Sequence, residues 1–311
     1  VSYLPTSPLI FPLSLITHLT PFSALSVDID GVHDDKFCPR TWPLSDLKRI
    51  VTKWQRFMID SDGWNALYLE NHDQGRSVSR FGSPQFRAVS AKMLATFLAL
   101  QSGTPFVFQG QELAQPNMPE SWGPDRFRDI EVLNHWKAKE PLIRGDEEAI
   151  ERQMKQYRLK SRDNARTPMQ WDRSSNAGFT EGAPWMDVHE DYEEWNAEAQ
   201  VQDEESTYWY WARTLKLRKE KVDLFVYGDF GLVAEEHESV FAYKRMFKGE
   251  MALVVCNFTG DEVGFVVPKE YKGVLEGKVL LNNYKGGAQV DRGEGRVRLR
   301  PFEAVVFASD V

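Results

Sequence analysis

The stretch Glu70-Asn71-His72-Asp73-Gln74 is the densest block of chemically capable side chains in the sequence, and it follows an apolar run, Trp64 to Leu69. A carboxylate beside an imidazole can accept hydrogen bonds from hydroxyls, exchange a proton, or stabilise charge that develops on a bound substrate. Taken alone, the pair fits equally well as a satisfied polar contact at a strand end. Context favours chemistry. The next apolar run, Pro105 to Gln109, also ends in polar residues, Gln109-Gly110-Gln111-Glu112. A second unusual block lies downstream, SRDNARTPMQW at residues 161–171. Within it Arg166 offers a planar fork of donors that suits hydroxyl or carboxylate partners, or a structural ion pair.

The elements that must position these residues can be read from periodicity. Leu47, Ile50, Val51, Trp54, Phe57 and Met58 carry helical spacing, with Ser45 as the expected N-cap. Trp64–Leu69 then reads as a short buried strand. Ser83-Pro84 reads as the start of a helix running from Phe86 to Leu100, and Pro105–Gln109 as a second buried strand. Short apolar strands alternating with helices predict a parallel sheet covered on both faces, whose sites lie at the C-terminal strand ends. Residues 110–205 form a long polar connection with a helix expected near Glu147–Arg162, and Ser206–Val222 reads as a further helix. After about Leu224 the pattern changes to short β-type runs: Val240–Phe247, Met251–Phe258, Val263–Val267, Val279–Asn282, Arg296–Arg300 and Ala304–Ala308. Arg296 to Arg300 alternates strictly, as a half-exposed antiparallel strand does. A domain boundary is expected near residue 225, with no helix longer than two turns in 235–311.

Composition bounds the function classes. The 311 residues are 42% hydrophobic and 27% charged, enough for a real core. A net charge of −8 without any basic block argues against nucleic acid as partner. Ten Trp and ten Tyr suit either a large core or a surface on which sugar rings stack. Two cysteines, Cys38 and Cys256, with no CxxC, leave no disulfide framework and point to a reducing, cytoplasmic setting. No membrane partner is expected, because no apolar run approaches the roughly 20 residues of a span. The first 24 residues are apolar but broken by Pro5, Pro8, Pro12 and Pro21, and do not read as a signal peptide.

The stretches NHDQGRSVSRFG (71–82) and SRDNARTPMQW (161–171), with SAKMLATFLAL, GTPFVFQGQE, RDIEVLNHW, NAGFT and NAEAQ in matching order, resemble signature segments of glycoside hydrolase family 13 α-glucosidases. The likeness is to the maltase and oligo-1,6-glucosidase type, particularly fungal intracellular maltases. It runs from about Val27 to Val311, leaving residues 1–24 unmatched. It implies an α/β fold: the C-terminal part of a (β/α)8 TIM barrel, about strands 6–8 with a long loop, in residues 25–224, then a small all-β antiparallel domain in 225–311. It also implies retaining hydrolysis of maltose- or isomaltose-type oligosaccharides, without a cofactor or metal.

By the same resemblance Asp73 matches the family's third carboxylate, a transition-state stabiliser. His72 matches its hydroxyl-binding histidine, and Arg166 an arginine that fixes the non-reducing glucose. The nucleophile and general acid belong to stretches upstream. No Asp-x-x-Arg-x-Asp stretch precedes Asp73, and no Glu precedes Glu70. Asp28, Asp30, Asp34 and Asp35 read as loop carboxylates. Glu70 should face away from Asp73, since residues three apart on an extended strand point to opposite sides. Glu112 reads as structural. Arg166, lacking its acidic family partner, is expected to be unpaired or mobile. The chain alone is expected to be inactive. Alternatives are a non-enzymatic relative that serves as an interaction protein, a sugar-binding module, and a sucrose-isomerase or trehalose-forming relative.

Overall fold

Helix α1 spans Leu44–Asp60 because its apolar residues fall on one stripe: Leu44, Leu47, Ile50 and Val51 are buried, together with Lys48 and Gln55. The computed structural model describes residues 36–61 and 63–310. Pro43, not Ser45, is the N-cap of α1, and no side chain caps it. Proline fits there because it fixes an extended-to-helical entry and needs no N–H partner. The four early aspartates, Asp28, Asp30, Asp34 and Asp35, lie outside the described residues.

Two strands follow in parallel register, β1 (Ala66–Leu67) and β2 (Thr104–Pro105), paired Ala66 to Thr104 and Leu67 to Pro105. Both are shorter than the apolar runs suggested, and they are not fully buried. Trp64 is 44% exposed, Phe106 46% and Val107 37%. Among the described residues each of these strands has the other as its ladder partner, and a strand supported on one side extends only as far as that ladder. The turn-like helix α2 (Ser77–Arg80) and the buried helix α3 (Arg87–Ala99) connect them. Helix α3 begins three residues beyond Pro84, with Ser83 Oγ accepting from the Phe86 N–H. It is buried from Ser90 through Ala99, which explains its lack of a polar face.

The long connection contains more structure than its polarity suggested. Helix α4 (Ile130–Ile143) was not anticipated and carries Pro141 inside it. Helix α5 (Glu147–Lys160) lies where a helix was expected, capped by Asp146. Helix α6 (Ala197–Gln202) and helix α7 (Thr207–Glu220) follow, the latter capped by Ser206 accepting from Trp209 N–H.

A π-helical segment, Asp223–Tyr227, precedes the first antiparallel strand, β3 (Asp229–Val233). Strands β4 (Val240–Phe247), β5 (Glu250–Asn257), β6 (Val263–Val266), β7 (Lys278–Asn282), β8 (Gln289–Asp291), β9 (Arg296–Leu299) and β10 (Ala304–Asp310) complete the region. They form a five-stranded sheet, β3-β4-β5-β10-β7, and a three-stranded sheet, β6-β9-β8. An eight-residue 3-10 helix, Lys269–Glu276, interrupts the β pattern and exceeds the two-turn limit expected there. Val274 and Leu275 on it are buried against the sheets, so packing stabilises the segment.

Strand β5 is buried along nearly its whole length because the large sheet is covered on both faces. Ala252, Val254 and Cys256 join the apolar cluster shared with α1, α3 and α7, whereas Met251, Leu253 and Val255 join the cluster between the two sheets. The helical and β regions are therefore welded by a common core. Lys48 adds a polar tie across it, donating to the carbonyls of Ala234, Glu235 and His237 at 2.9, 3.0 and 2.6 Å.

Candidate functional site

Beyond β1 the chain turns at residues 71–74, with Gln74 N–H bonded to the Asn71 carbonyl and Asn71 Oδ1 accepting from Asp73 N–H at 2.8 Å. That turn projects His72 and Asp73 outward; their side chains are 74% and 44% exposed, so solvent or a ligand can reach them. His72 Nε2 lies 3.1 Å from Asp73 Oδ2. On the other carboxylate oxygen, Arg166 Nη2 donates to Oδ1 at 3.1 Å, while Arg166 Nε donates to the His72 carbonyl at 3.1 Å. The guanidinium thus grips the side chain of one residue and the backbone of its neighbour. Arg162 stands farther off, with Nη1 3.8 Å from Asp73 Oδ1. The expectation of an unpaired Arg166 is corrected here: Asp73 is its partner, brought into reach by the turn.

Arg166 reaches this place through a buried framework that the sequence did not single out. Arg76, 1% exposed, inserts between the two strand ends and the block that carries Arg166. It donates to the Gln109 carbonyl at 2.6 Å beyond β2, to the Asn164 carbonyl at 2.9 Å and to the Ala165 carbonyl at 3.4 Å. Glu70 Oε2 faces it at 3.3 Å, and Glu70 Oε1 accepts from Ser77 N–H and Oγ–H at 2.9 and 2.6 Å. Glu70 is therefore turned inward and does not partner Asp73. The cause is a turn at Asp73 rather than alternation along an extended strand. Asn117 and Asn164 complete the frame. Asn117 accepts from Arg76 N–H at 2.7 Å, Asn164 accepts from Met118 N–H at 2.9 Å, and both donate to the Arg158 carbonyl. In sequence the signal was the pairing of Arg76 with Glu70 six positions apart, which cannot reveal the carbonyls that converge on it.

Asp129 and Asp163 beside the cluster are engaged. Asp129 caps α4 and receives both Arg162 Nε, at 3.0 Å, and Nη2. Burial alone would raise its pKa, but the Arg162 contact outweighs this and lowers it. Asp163 accepts from the N–H groups of Arg128 and Asp129, each at 2.9 Å. Burial raises the Glu112 carboxyl above its ordinary range. Its Oε2 has no hydrogen-bond partner. A cavity of about 610 Å³ lies elsewhere, among Trp42, Arg80, Phe81, His237 and Phe258, and none of the Asp73 cluster lines it. Among the described residues there is no grouping of His, Cys, Asp and Glu that could hold a metal ion. No helix there is long and apolar enough to cross a membrane.

What the arrangement can do is bind vicinal hydroxyls. A carboxylate with an adjacent imidazole and a guanidinium presents acceptors and donors to one face of a polyol, in the fixed geometry that Arg76 imposes.

Residues 20–228 match the alpha-amylase catalytic domain, and residues 240–306 match the alpha-amylase SusG C-terminal domain. An α-glucosidase of Schizosaccharomyces pombe is 42% identical over 298 residues, covering 94% of this chain and 50% of that protein. An oligo-1,6-glucosidase of Bacillus cereus is 42% identical over 284 residues, covering 90% and 49%. The crystal structure of Bacillus licheniformis trehalose-6-phosphate hydrolase superimposes with a TM-score of 0.85 at 36% identity, covering 93% of this chain and 51% of that one. The chain spans about half the length of the curated relatives it matches.

Proposed function

Because the chain belongs to the alpha-amylase family and is similar to α-glucosidases and oligo-1,6-glucosidases within it, we propose that it supplies the sugar-binding side of a retaining α-glucosidase site. The observation that carries this reading is the exposed Asp73–His72–Arg166 cluster at the C-terminal end of β1. Asp73 accepts hydrogen bonds from ring hydroxyls of the glucose at the non-reducing end. His72 serves the same hydroxyls, and Arg166 orients Asp73 and the sugar. Such bonds strengthen as positive charge grows on the ring, so they favour the transition state over the ground state.

Retaining hydrolysis further needs a nucleophilic carboxylate and a carboxylic acid about 5–5.5 Å apart. Among the described residues, the carboxylates packed against the Asp73 framework include Glu70, committed to Arg76 and Ser77, Asp129, committed to Arg162, and Asp163, committed to backbone. We therefore assign nucleophile and acid to a preceding barrel half, and place the domain boundary at the Asp223–Tyr227 segment. The substrate class is an α-glucoside oligosaccharide, and no membrane or nucleic acid enters the scheme. The test is Asp73→Asn in this chain reconstituted with the upstream half of an α-glucosidase relative. We expect kcat on maltose to fall by roughly 10²–10³ with a smaller change in KM. A near-normal kcat removes Asp73 from the mechanism.

A further inference from the structure

Strand β4 carries a buried positive charge that no neighbouring side chain balances. Arg245 is 0% exposed and is paired in register with Phe230 of β3 and Ala252 of β5. Side chains alternate along a strand, so Arg245 shares a face with Phe241 and Tyr243, which pack in the cluster that includes α3 and α7. Its Nη2 donates to the Gly228 carbonyl at 2.7 Å, directly after the π-helical segment Asp223–Tyr227. Among the described residues no atom accepts from its Nε or Nη1, and both are closed off from solvent. No carboxylate there therefore pairs with it. Asp229, whose charge does act on Arg245, has a side chain 58% exposed and lies 3.7 Å from Arg56.

A second cation sharpens the imbalance. Arg218 of α7 is near enough for its charge to act on Arg245. Arg218 itself is compensated. Its Nη1 donates to the carbonyls of Ala99 and Gln101, each at 2.6 Å, and of Phe225 at 3.3 Å, and its Nη2 donates to the Gly103 carbonyl. Ala99 ends α3, and the C-terminal end of a helix carries partial negative charge. Arg245 has one carbonyl where Arg218 has four. Tyr243 supplies no counter-charge: its hydroxyl donates to the Phe97 carbonyl at 3.1 Å, and burial raises its pKa well above the ordinary value. Burial lowers the Arg245 guanidinium to about 10, and Arg218 pushes it the same way, yet it is still a cation at neutral pH.

We propose that Arg245 binds a small monovalent anion of the halide class at the junction of β4, the Asp223–Tyr227 segment and α7. A buried cation with neither counter-charge nor full hydrogen bonding is strongly unfavourable. Water satisfies free N–H groups but leaves the charge in place, whereas an anion answers both. The interior position selects for size: a halide needs only the open donors on Nε and Nη1, while phosphate or a carboxylic acid needs a larger pocket. The ion fastens the large sheet to the segment that joins it to the helical region, so its effect is on the stability of that junction. Nothing in this assignment depends on the reading of the Asp73 cluster.

The experiment is thermal unfolding of the 311-residue chain at fixed pH and ionic strength, with sodium methanesulfonate replaced stepwise by sodium chloride or sodium bromide. Methanesulfonate holds the ionic strength and is too bulky for a closed site. We expect the wild-type midpoint to rise by roughly 2 °C for each tenfold increase in halide above its Kd. Arg245→Met should abolish that rise. Arg245→Lys, which keeps a charge with fewer donors, should retain a weaker one. Crystals of the wild type soaked in bromide should show an anomalous peak beside Arg245. A wild-type midpoint indifferent to halide overturns the proposal, as does an Arg245→Met response equal to the wild type's, which would place the ion elsewhere. If Arg245→Met does not fold, the wild-type salt series and the anomalous map decide: bromide peaks only at other positions overturn the proposal whatever the midpoints do.

Discussion

Arg76 carries more of the site's geometry than either of the exposed residues His72 and Asp73. Its guanidinium links the ends of β1 and β2 to the backbone just before Arg166, and its ion-pair partner, Glu70, is 2% exposed at the side chain. Replacing it by methionine would leave a buried carboxylate uncompensated and three carbonyls without donors. Removing one member of such a pair typically costs about 3–5 kcal/mol. We expect Arg76→Met to lower the urea midpoint of unfolding by that equivalent, and an unchanged midpoint would show that the framework is not held this way. His72 and Asp73 were legible as candidates in the sequence because a polar pair after an apolar run stands out. Arg76 was not legible as the organiser, since its acceptors are mainly carbonyls, and every residue has one. The pairing of Arg166 with Asp73 was likewise hidden, because it depends on a turn at 71–74 that brings together residues 93 positions apart.

At the scale of elements, the loop bearing the second motif is fastened to α3 through Asp191. That carboxylate accepts from Gln170 Nε2 at 2.8 Å, lies 2.7 Å from His189 Nδ1, and pairs with Arg87 at the start of α3. Burial pushes its pKa up, but the His189 hydrogen bond and the Arg87 charge outweigh burial and hold it at about 2. Its folded value is below the unfolded one, so its contribution is present above pH ~4 and is lost as pH falls through about 2. The shift corresponds to roughly 2 kcal/mol, partly offset because burial lowers Arg87 below the usual arginine value. We expect wild-type stability to fall between pH ~4 and ~2. Asp191→Asn should be less stable at neutral pH and flatter across that window. Equal slopes in denaturant titrations at several pH values would contradict the assignment. The β4 and β5 runs were readable because two-sided burial writes nearly continuous apolar sequence. Strands β3 and β8 escaped: β3 contains Asp229 and Gly231, and β8 is three residues with polar ends. The barrel strands were over-extended because apolarity marks the segment, whereas ladder length depends on neighbours.

Among the described residues one apolar cluster spans the two regions of the molecule, with Phe97 and Leu98 of α3 in the same cluster as Phe241, Val254 and Val306 of the large sheet. Thermal unfolding should accordingly show one transition by calorimetry; two separated transitions would mean that the helical region and the β region are held independently. The fold class was readable because the shift from helix-strand alternation to short strands is a composition-level signal. The chemical completeness of the site is a question at the same scale, since retaining hydrolysis needs two carboxylates beyond Asp73. The most direct test is turnover of p-nitrophenyl α-glucoside by the purified 311-residue chain, alone and mixed with the upstream half of an α-glucosidase relative, with Asp73→Ala as control in both. The account predicts no turnover by the chain alone, and turnover on mixing that vanishes with Asp73→Ala. Hydrolysis by the chain alone that disappears in Asp73→Ala, or activity of the mixture indifferent to Asp73, would contradict it.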